Sequence, residues 1–293
     1  MIKNDFNNMI IQDAINRIEE CCAELTTMVM TMPTLHIIST SNYIGDEVNI
    51  ASKFGMEAIK HIVTPQNIMI KLTELSKDLN NKIVIELPLE DEIDYPRLSE
   101  MMDLLHPMQD VLGFKVPLVD ISSMYDGNDF ITHPTFSPIA KSTLLLNMLV
   151  DADIKGKEVA IVGNDLASGL PISMMYNQLG ATVHNINKST NIEAKFNAFS
   201  DVDTIISTTG TDMTVYDELY LYEDKICINA SEKLIDDLSY DAISNKSKFI
   251  NKANGSMDHL IPLFIIYNCL ASQMTNELVM YNDKLKRCEN DVL

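Results

Sequence analysis

Apolar residues recur at helical spacing between 8 and 30 (Ile11, Ile15, Ile18, Leu25), and Thr34–Thr40, TLHIIST, then reads as a buried strand. The stretch 41–62, SNYIGDEVNIASKFGMEAIKHI, sets Val48, Ala51, Ile59 and Ile62 inward and reads as one helix. After a break at Pro65, Asn67–Leu79 is an amphipathic helix and Ile83–Leu89, IVIELPL, a strand stopped by Pro88. Tyr95–Leu105 is a short helix opened by Pro96. Strand and helix thus alternate through this part of the chain, which predicts a parallel or mostly parallel sheet with helices on its faces.

The segment 113–135 is loop-rich, and Ser137-Pro138 then starts a helix towards Val150, Ser as cap and Pro in the first turn. The stretch 156–190 has the pattern of one βαβ unit. Val159–Val162 is a short apolar run ending in Gly163; five residues follow, then Gly169, Pro171, a helical-periodic segment (Ile172, Met175, Leu179) and a β-branched run from Thr182. Dinucleotide phosphates sit on such a turn, although the spacing is G-x5-G instead of G-x-G-x-x-G, and strand–helix packing alone also produces glycine turns. Further strands are expected at 204–207, 225–229 and 249–250, and a helix over His259–Met280 returns to the first domain. The fold class is α/β, with two αβα-type domains. The first is 1–147 plus 262–293; the second is 148–261, for which the family resemblance given below implies a Rossmann-like, dinucleotide-binding domain.

Twenty-two basic against 42 acidic residues give a net charge of −20, which argues against nucleic acid or an anionic membrane as partner. An anionic ligand would need locally concentrated positive charge. The acidic, helical-periodic start is not a signal peptide, and no apolar run is long enough for a membrane helix, so the cytoplasm is expected. Cys21, Cys22, Cys227, Cys269 and Cys288 are odd in number and lack C-x-x-C spacing, so buried or idle thiols are expected. His36, His106 and His184 are core or loop residues without ligand spacing, and no metal is expected. Glu90, Asp91, Glu92 and Asp94 form a charge run that reads as a solvated loop.

Several short motifs occur in an order that resembles one family, the bifunctional methylenetetrahydrofolate dehydrogenase/cyclohydrolases. IGDEVNIASK (44–53) fits that family's Y-V-x-x-K helix at its lysine; IVIELPLE (83–90) looks like its ILVQLPLP strand, and QDVLGF (109–114) its KDVDGF. FSPIAK (136–141) fits CTPxG, VAIVGNDLASGLP (159–171) resembles VVIGRSxxVGxP, ATVHNINKST (181–190) ATVTxCHSxT, and VDTIISTTG (202–210) ADIIIAAVGKP. The resemblance implies two α/β domains with a cleft between them. Folate would lie over the first domain and the nicotinamide cofactor on the second, with hydride passing between them before the methenyl cation is hydrolysed. A cytoplasmic homodimer formed through the second domain, acting on a folate-like small molecule, is implied as well.

Carried over residue by residue, the resemblance makes Lys53 the catalytic lysine. The family's pterin-stacking tyrosine falls on Asn49, the glutamine that holds the lysine on Glu86, and the aspartate that anchors the pterin on Leu112. Tyr43 is a possible replacement for the stacking face. A carboxylate at 86 beside Lys53 would form an ion pair, which either closes an old site or leaves a charged lysine to polarise an oxygen. The late PGGVGPMT turn aligns with NGSMDHLI (254–261) and loses its glycines. Around the cofactor, the implied residues are Gly163, Asn164, Asp165, Gly169, Lys188, Thr209 and Gly210. Asp165 suits a helix N-cap but opposes a pyrophosphate. Asn164 replaces a residue that meets the 2′-phosphate. Lys188 is a substitute cation, and no acidic residue stands there for a ribose hydroxyl, so NADP is expected ahead of NAD.

Three readings remain open: a divergent dehydrogenase with weakened cyclohydrolase activity, a non-catalytic binding or partner subunit, and an enzyme with a changed substrate. Fold alone does not decide among them.

Overall fold

The computed structural model describes residues 3–40, 46–86, 95–114, 136–231 and 235–290. Tyr43, Pro88 and the charge run 90–94 lie outside them, as does most of the expected 113–135 loop. The chain packs as two compact units. Among the described residues, one holds 3–18 and 137–264, the other 19–114, 136 and 265–290. The helices α1 (Lys3–Met28) and α9 (Met257–Asn290) each contribute to both.

The unit containing residues 19–114 is built on a parallel sheet of β1 (Thr34–Ser39), β2 (Glu57–Ile62) and β3 (Asn81–Ile85), ordered β2-β1-β3. The central strand β1 is buried from Leu35 to Ser39, as its run of aliphatic residues requires. The stretch 41–62 is not one helix. The helix α2 (Glu47–Lys53) stops where Gly55 takes φ +72, with Gly55 N–H donating to Ser52 O and Met56 N–H to Ala51 O. A left-handed glycine after a helix satisfies its last carbonyls and turns the chain out. β2 then follows, and its half-exposed residues reflect its position at the sheet edge among the described strands. α3 (Ile68–Leu75) and α4 (Tyr95–Asp103) complete the alternation.

The other unit carries a five-stranded parallel sheet: β4 (Glu158–Val162), β5 (Thr182–Ile186), β6 (Thr204–Ser207), β7 (Ile226–Asn229) and β8 (Phe249–Ile250), in the order β5-β4-β6-β7-β8. α5 (Pro138–Val150) begins as expected, with Ser137 Oγ accepting from Ala140 N–H, and is buried from Pro138 to Asn147. α6 (Gly169–Gln178) joins β4 to β5, and α7 (Ile192–Ser200) joins β5 to β6. A short α8 (Tyr240–Ile243) precedes β8. Ala160, Val162, Ile186, Phe199, Ile205, Tyr222 and Ile250 are among the residues packed into this unit's core. No described helix is long and apolar enough to cross a membrane.

Candidate functional site

In an open parallel sheet, ligands bind beyond the carboxyl ends of the strands where the connection reverses direction. In the five-stranded sheet that place is β4/β6, since β5 lies on one side of β4 and β6 on the other. Gly163 ends β4 there at φ +112, and a Cβ on it would stand 2.2 Å from Thr208 Oγ1. A Cβ on Gly169 would stand 2.3 Å from the Gly163 carbonyl oxygen. The two glycines therefore let β4, the turn beyond β6 and the first turn of α6 close on one another.

Asp165 does not cap α6 as expected. The N-cap is Ser168, because residues 164–168 form a turn before the helix starts. The Asp165 carboxylate holds that turn instead, accepting from Ser168 N–H (2.8 Å), Ser168 Oγ (2.6 Å) and Thr208 Oγ1 (3.3 Å). Asn164 is exposed beside it; Lys188, exposed two residues past β5, makes no ion pair among the described residues.

Thr209 and Gly210 follow β6 and are tied to a residue that the pattern did not single out. Asp237 is fully buried; its Oδ2 accepts from Thr209 N–H (2.6 Å), Gly210 N–H (3.1 Å) and Ser207 Oγ (3.0 Å). Its Oδ1 is buried without a partner. Burial pushes the Asp237 carboxyl above its ordinary pKa, against the pull of these bonds. Gly163, Asn164, Asp165, Gly169, Thr209 and Gly210 thus all lie on the turns beyond the carboxyl ends of β4 and β6. A cavity of about 310 Å³ in the same unit opens at the opposite, amino ends of β4, β6 and β7, and none of these residues lines it.

At the three-stranded sheet, the expected pairing of Lys53 with Glu86 is not formed. Lys53 is 57 % exposed and its Nζ binds Glu19 on α1 at 2.5 Å. Glu86 pairs with Lys60, whose Nζ lies 3.1 Å from Oε2 and 3.2 Å from Oε1, with side chains only 12 % and 21 % exposed. The register explains the exchange. Lys60 is level with Ile37 of β1, and Glu86 follows Ile85, which is level with Ile38, so both side chains stand on one face, on either side of β1. Glu47, opening α2, has a buried Oε2 without a partner. Burial raises its pKa first; Glu86 raises it further and Lys60 opposes.

Asn49 is exposed and donates to Asp46 at 3.4 Å. Leu112 lies in the turn after Asp110, which bridges to Ile83 of β3. The 254–261 segment is a tight turn into α9, with Gly255 N–H donating to Asp258 Oδ1. Lys60, Glu47 and Asp237 were missed by sequence reasoning. Gly55, two residues past the lysine that ends α2, was the signal that could have exposed β2, and Lys60 with it; no comparable signal marks Glu47 or Asp237.

His36 is buried on β1 and bonded to His61 and Asn81. His106 caps the 3-10 turn Pro107–Gln109, and His184 binds Glu158 at the surface. Among the described residues, no group of three or more His, Cys, Asp or Glu could hold a metal ion.

Residues 137–277 match the family model described as tetrahydrofolate dehydrogenase/cyclohydrolase, NAD(P)-binding domain. The chain is 23% identical over 256 residues to the bifunctional protein FolD of Mycoplasma mycoides, covering 80% of this chain and 84% of that one. Its fold resembles the 5,10-methylenetetrahydrofolate dehydrogenase of the silkworm Bombyx mori (TM-score 0.74, 18% identity, 92% of this chain and 97% of that one). It also resembles the Trypanosoma brucei methylenetetrahydrofolate dehydrogenase-cyclohydrolase solved with NADP and an inhibitor (TM-score 0.70, 15% identity, 93% and 97%).

Proposed function

We propose that this divergent relative of the tetrahydrofolate dehydrogenase/cyclohydrolases is an oxidoreductase of one-carbon metabolism that moves hydride between a tetrahydrofolate one-carbon adduct and NADP. The observation that carries the reading is the glycine-closed turn at β4/β6, which falls within the residues matching the NAD(P)-binding domain. We assign the dinucleotide to this turn, which Gly163 and Gly169 keep compact, with Thr209 and Gly210 on the neighbouring turn after β6 and exposed Lys188 as the cation for a 2′-phosphate. NAD is the second choice for the same turn. When bound, the cofactor supplies the hydride acceptor.

The folate-like adduct takes the carboxyl edge of the three-stranded sheet. Oxidation of the one-carbon bridge breaks a C–H bond, sends the electron pair away with the hydrogen and leaves a cation on the adduct. Fixed carboxylates at that edge stabilise the charge as it develops. Hydrolysis of the cation needs a base to activate water, and a lysine neutralised in an ion pair serves that step poorly, so hydride transfer outlasts cyclohydrolase activity. The same likeness leads us to assign a cytoplasmic homodimer.

The test is oxidation of methylenetetrahydrofolate by the purified chain with NADP or NAD, followed by dinucleotide absorbance, with a thermal-shift panel of the same ligands. Turnover faster with NADP is the expected result. A chain that neither turns over nor is stabilised by any of them is a non-catalytic partner subunit, the reading favoured by the Asp165 carboxylate at the phosphate turn.

A further inference from the structure

We infer that the substrate-contacting lysine and carboxyl of this site are Lys60 and Glu47, assembled around Glu86, in place of the positions at Lys53 and Leu112 to which the resemblance points. The inference rests on the proposed function and concerns which residues meet the folate-like adduct.

Position comes first. Lys60 is on β2, Glu86 directly follows β3, and Glu47 opens the helix that follows β1, so all three strands deliver one group each. Glu86 is fixed by its own N–H, which donates to Ile38 O at 2.9 Å. The bidentate contact of Lys60 with Glu86 then aims the ammonium across the end of β1. Lys53, three-fifths exposed and bound to α1, has no such constraint. A charge acts more strongly on a bound molecule when it is half-buried and held than when it is solvated and mobile.

Hydrogen-bond accounting comes second. Leu112 cannot accept a hydrogen bond, so a pterin edge rich in N–H groups would lose its acceptor there. Glu47 Oε2 is a buried carboxyl oxygen with no partner, in an environment shaped by both Glu86 and Lys60. Buried acceptors of this kind are rare without a reason. An N–H donor on the ligand fills the gap, and Glu47 thereby supplies the acceptor that Leu112 lacks. The product of hydride removal is a cation, and Glu47 with Glu86 places two carboxyl groups against one lysine where that charge appears.

The experiment compares Lys60→Met, Lys60→Arg, Lys53→Met, Glu47→Gln and, as a surface control, Lys71→Met. All are made in the full chain, with kcat and KM for methylenetetrahydrofolate oxidation, folate binding by titration calorimetry and thermal stability measured for each. Lys60→Met should lower kcat/KM by about a hundredfold or more, at least tenfold more than Lys53→Met, and Lys60→Arg should recover folate binding before turnover. Glu47→Gln should raise KM for the folate with little change in kcat, the mark of lost uniform binding. If Lys60→Met is too unstable to assay, the Lys60→Arg and Glu47→Gln results decide. An active wild-type chain in which Lys53→Met costs more than Lys60→Met overturns this inference and leaves the proposed function standing. A wild-type chain that neither oxidises the adduct nor binds folate removes both.

Discussion

Lys60 and Glu86 meet at 3.1 Å across the end of β1, where sequence alignment would have put Glu86 beside Lys53. The pair is neutral as a unit. Glu86→Gln would remove the carboxylate bound to the Lys60 ammonium, at the edge where the proposed substrate would become a cation, and leave only the partly opposing Glu47 nearby. Two like charges about 5 Å apart at an effective dielectric constant near 20 repel by roughly 3 kcal/mol. Oxidation of methylenetetrahydrofolate should therefore slow by up to about a hundredfold, while hydrolysis of the methenyl cation, which removes the charge, gains relative to it. Parallel dehydrogenase and cyclohydrolase assays on the variant check this; an unchanged ratio of the two rates rejects it.

Gly163→Ala tests the closed turn. The added methyl would meet Thr208 Oγ1 at 2.2 Å on a backbone of φ +112. Left-handed strain in a non-glycine residue alone costs about 1–3 kcal/mol, and the clash adds to it. Thermal unfolding should move down by several degrees, and stabilisation by added NADP should shrink. A variant as stable and as responsive as the wild type would mean that Thr208 yields freely.

Protonation of the histidine pair should weaken the fold in acid. Asn81 Nδ2 donates to Leu75 O, which leaves Asn81 Oδ1 to face His36 Nε2. His36 therefore carries its proton on Nε2, and its Nδ1 accepts from His61 Nε2–H at 2.9 Å. Burial pushes both pKa values down, Lys71 adds to this in each, and Glu74 (with Glu57 for His36) opposes. The folded pKa lies below the unfolded value, so the contribution is complete above the ordinary histidine pKa of about 6.5 and is lost as pH falls through the lowered values. Melting temperature plotted against pH should fall on that side, and His36→Leu/His61→Leu should flatten the slope. A slope identical in the double variant would assign the acid loss elsewhere.

Asp237 has the opposite sign. Its raised folded pKa means that its contribution is complete below the ordinary aspartate pKa of about 3.9 and declines as pH rises through the folded value. Asp237→Asn keeps an acceptor for Thr209 and Gly210 and removes the buried charge, so stability at neutral pH should be retained or rise. Asp237→Ala strands the buried Gly210 N–H and the part-buried Thr209 N–H and should cost about 1–3 kcal/mol for the first and less for the second. Denaturant unfolding of the two variants at neutral pH separates these outcomes, and equal loss in both would contradict the assignment.

The βαβ pattern of 156–190 was legible because a fully buried parallel strand leaves an aliphatic run, and its bounding glycines mark the turn. β2 was illegible for the converse reason. Glu57, Lys60 and His61 belong to an edge strand whose polarity imitates a solvated helix face, and only Gly55 signals the change. That single misreading hid Lys60, while the pairing of Glu86 with Lys53 came from the family resemblance. Asp237 was illegible because its role is fixed by the return of a distant segment to the end of β6; no local spacing encodes the meeting. The glycines at 163 and 169 were noticed for phosphate binding, whereas their immediate work is to let protein atoms approach one another.

The Asp165 carboxylate at the head of α6 changes how ionic strength acts on a dinucleotide. In most phosphate sites added salt weakens binding, because it screens an attraction. Here a carboxylate held by Ser168 and Thr208 faces the place a pyrophosphate would occupy, on a chain of net charge −20. Salt screens chiefly what lies beyond about 8 Å at physiological ionic strength, so it would relieve the repulsion from the chain's net charge of −20 more than that from Asp165 itself. A dinucleotide bound as proposed should hold more tightly in saline buffer than in dilute buffer, with its pyrophosphate contributing less than its ribose, its ring and the 2′-phosphate near Lys188.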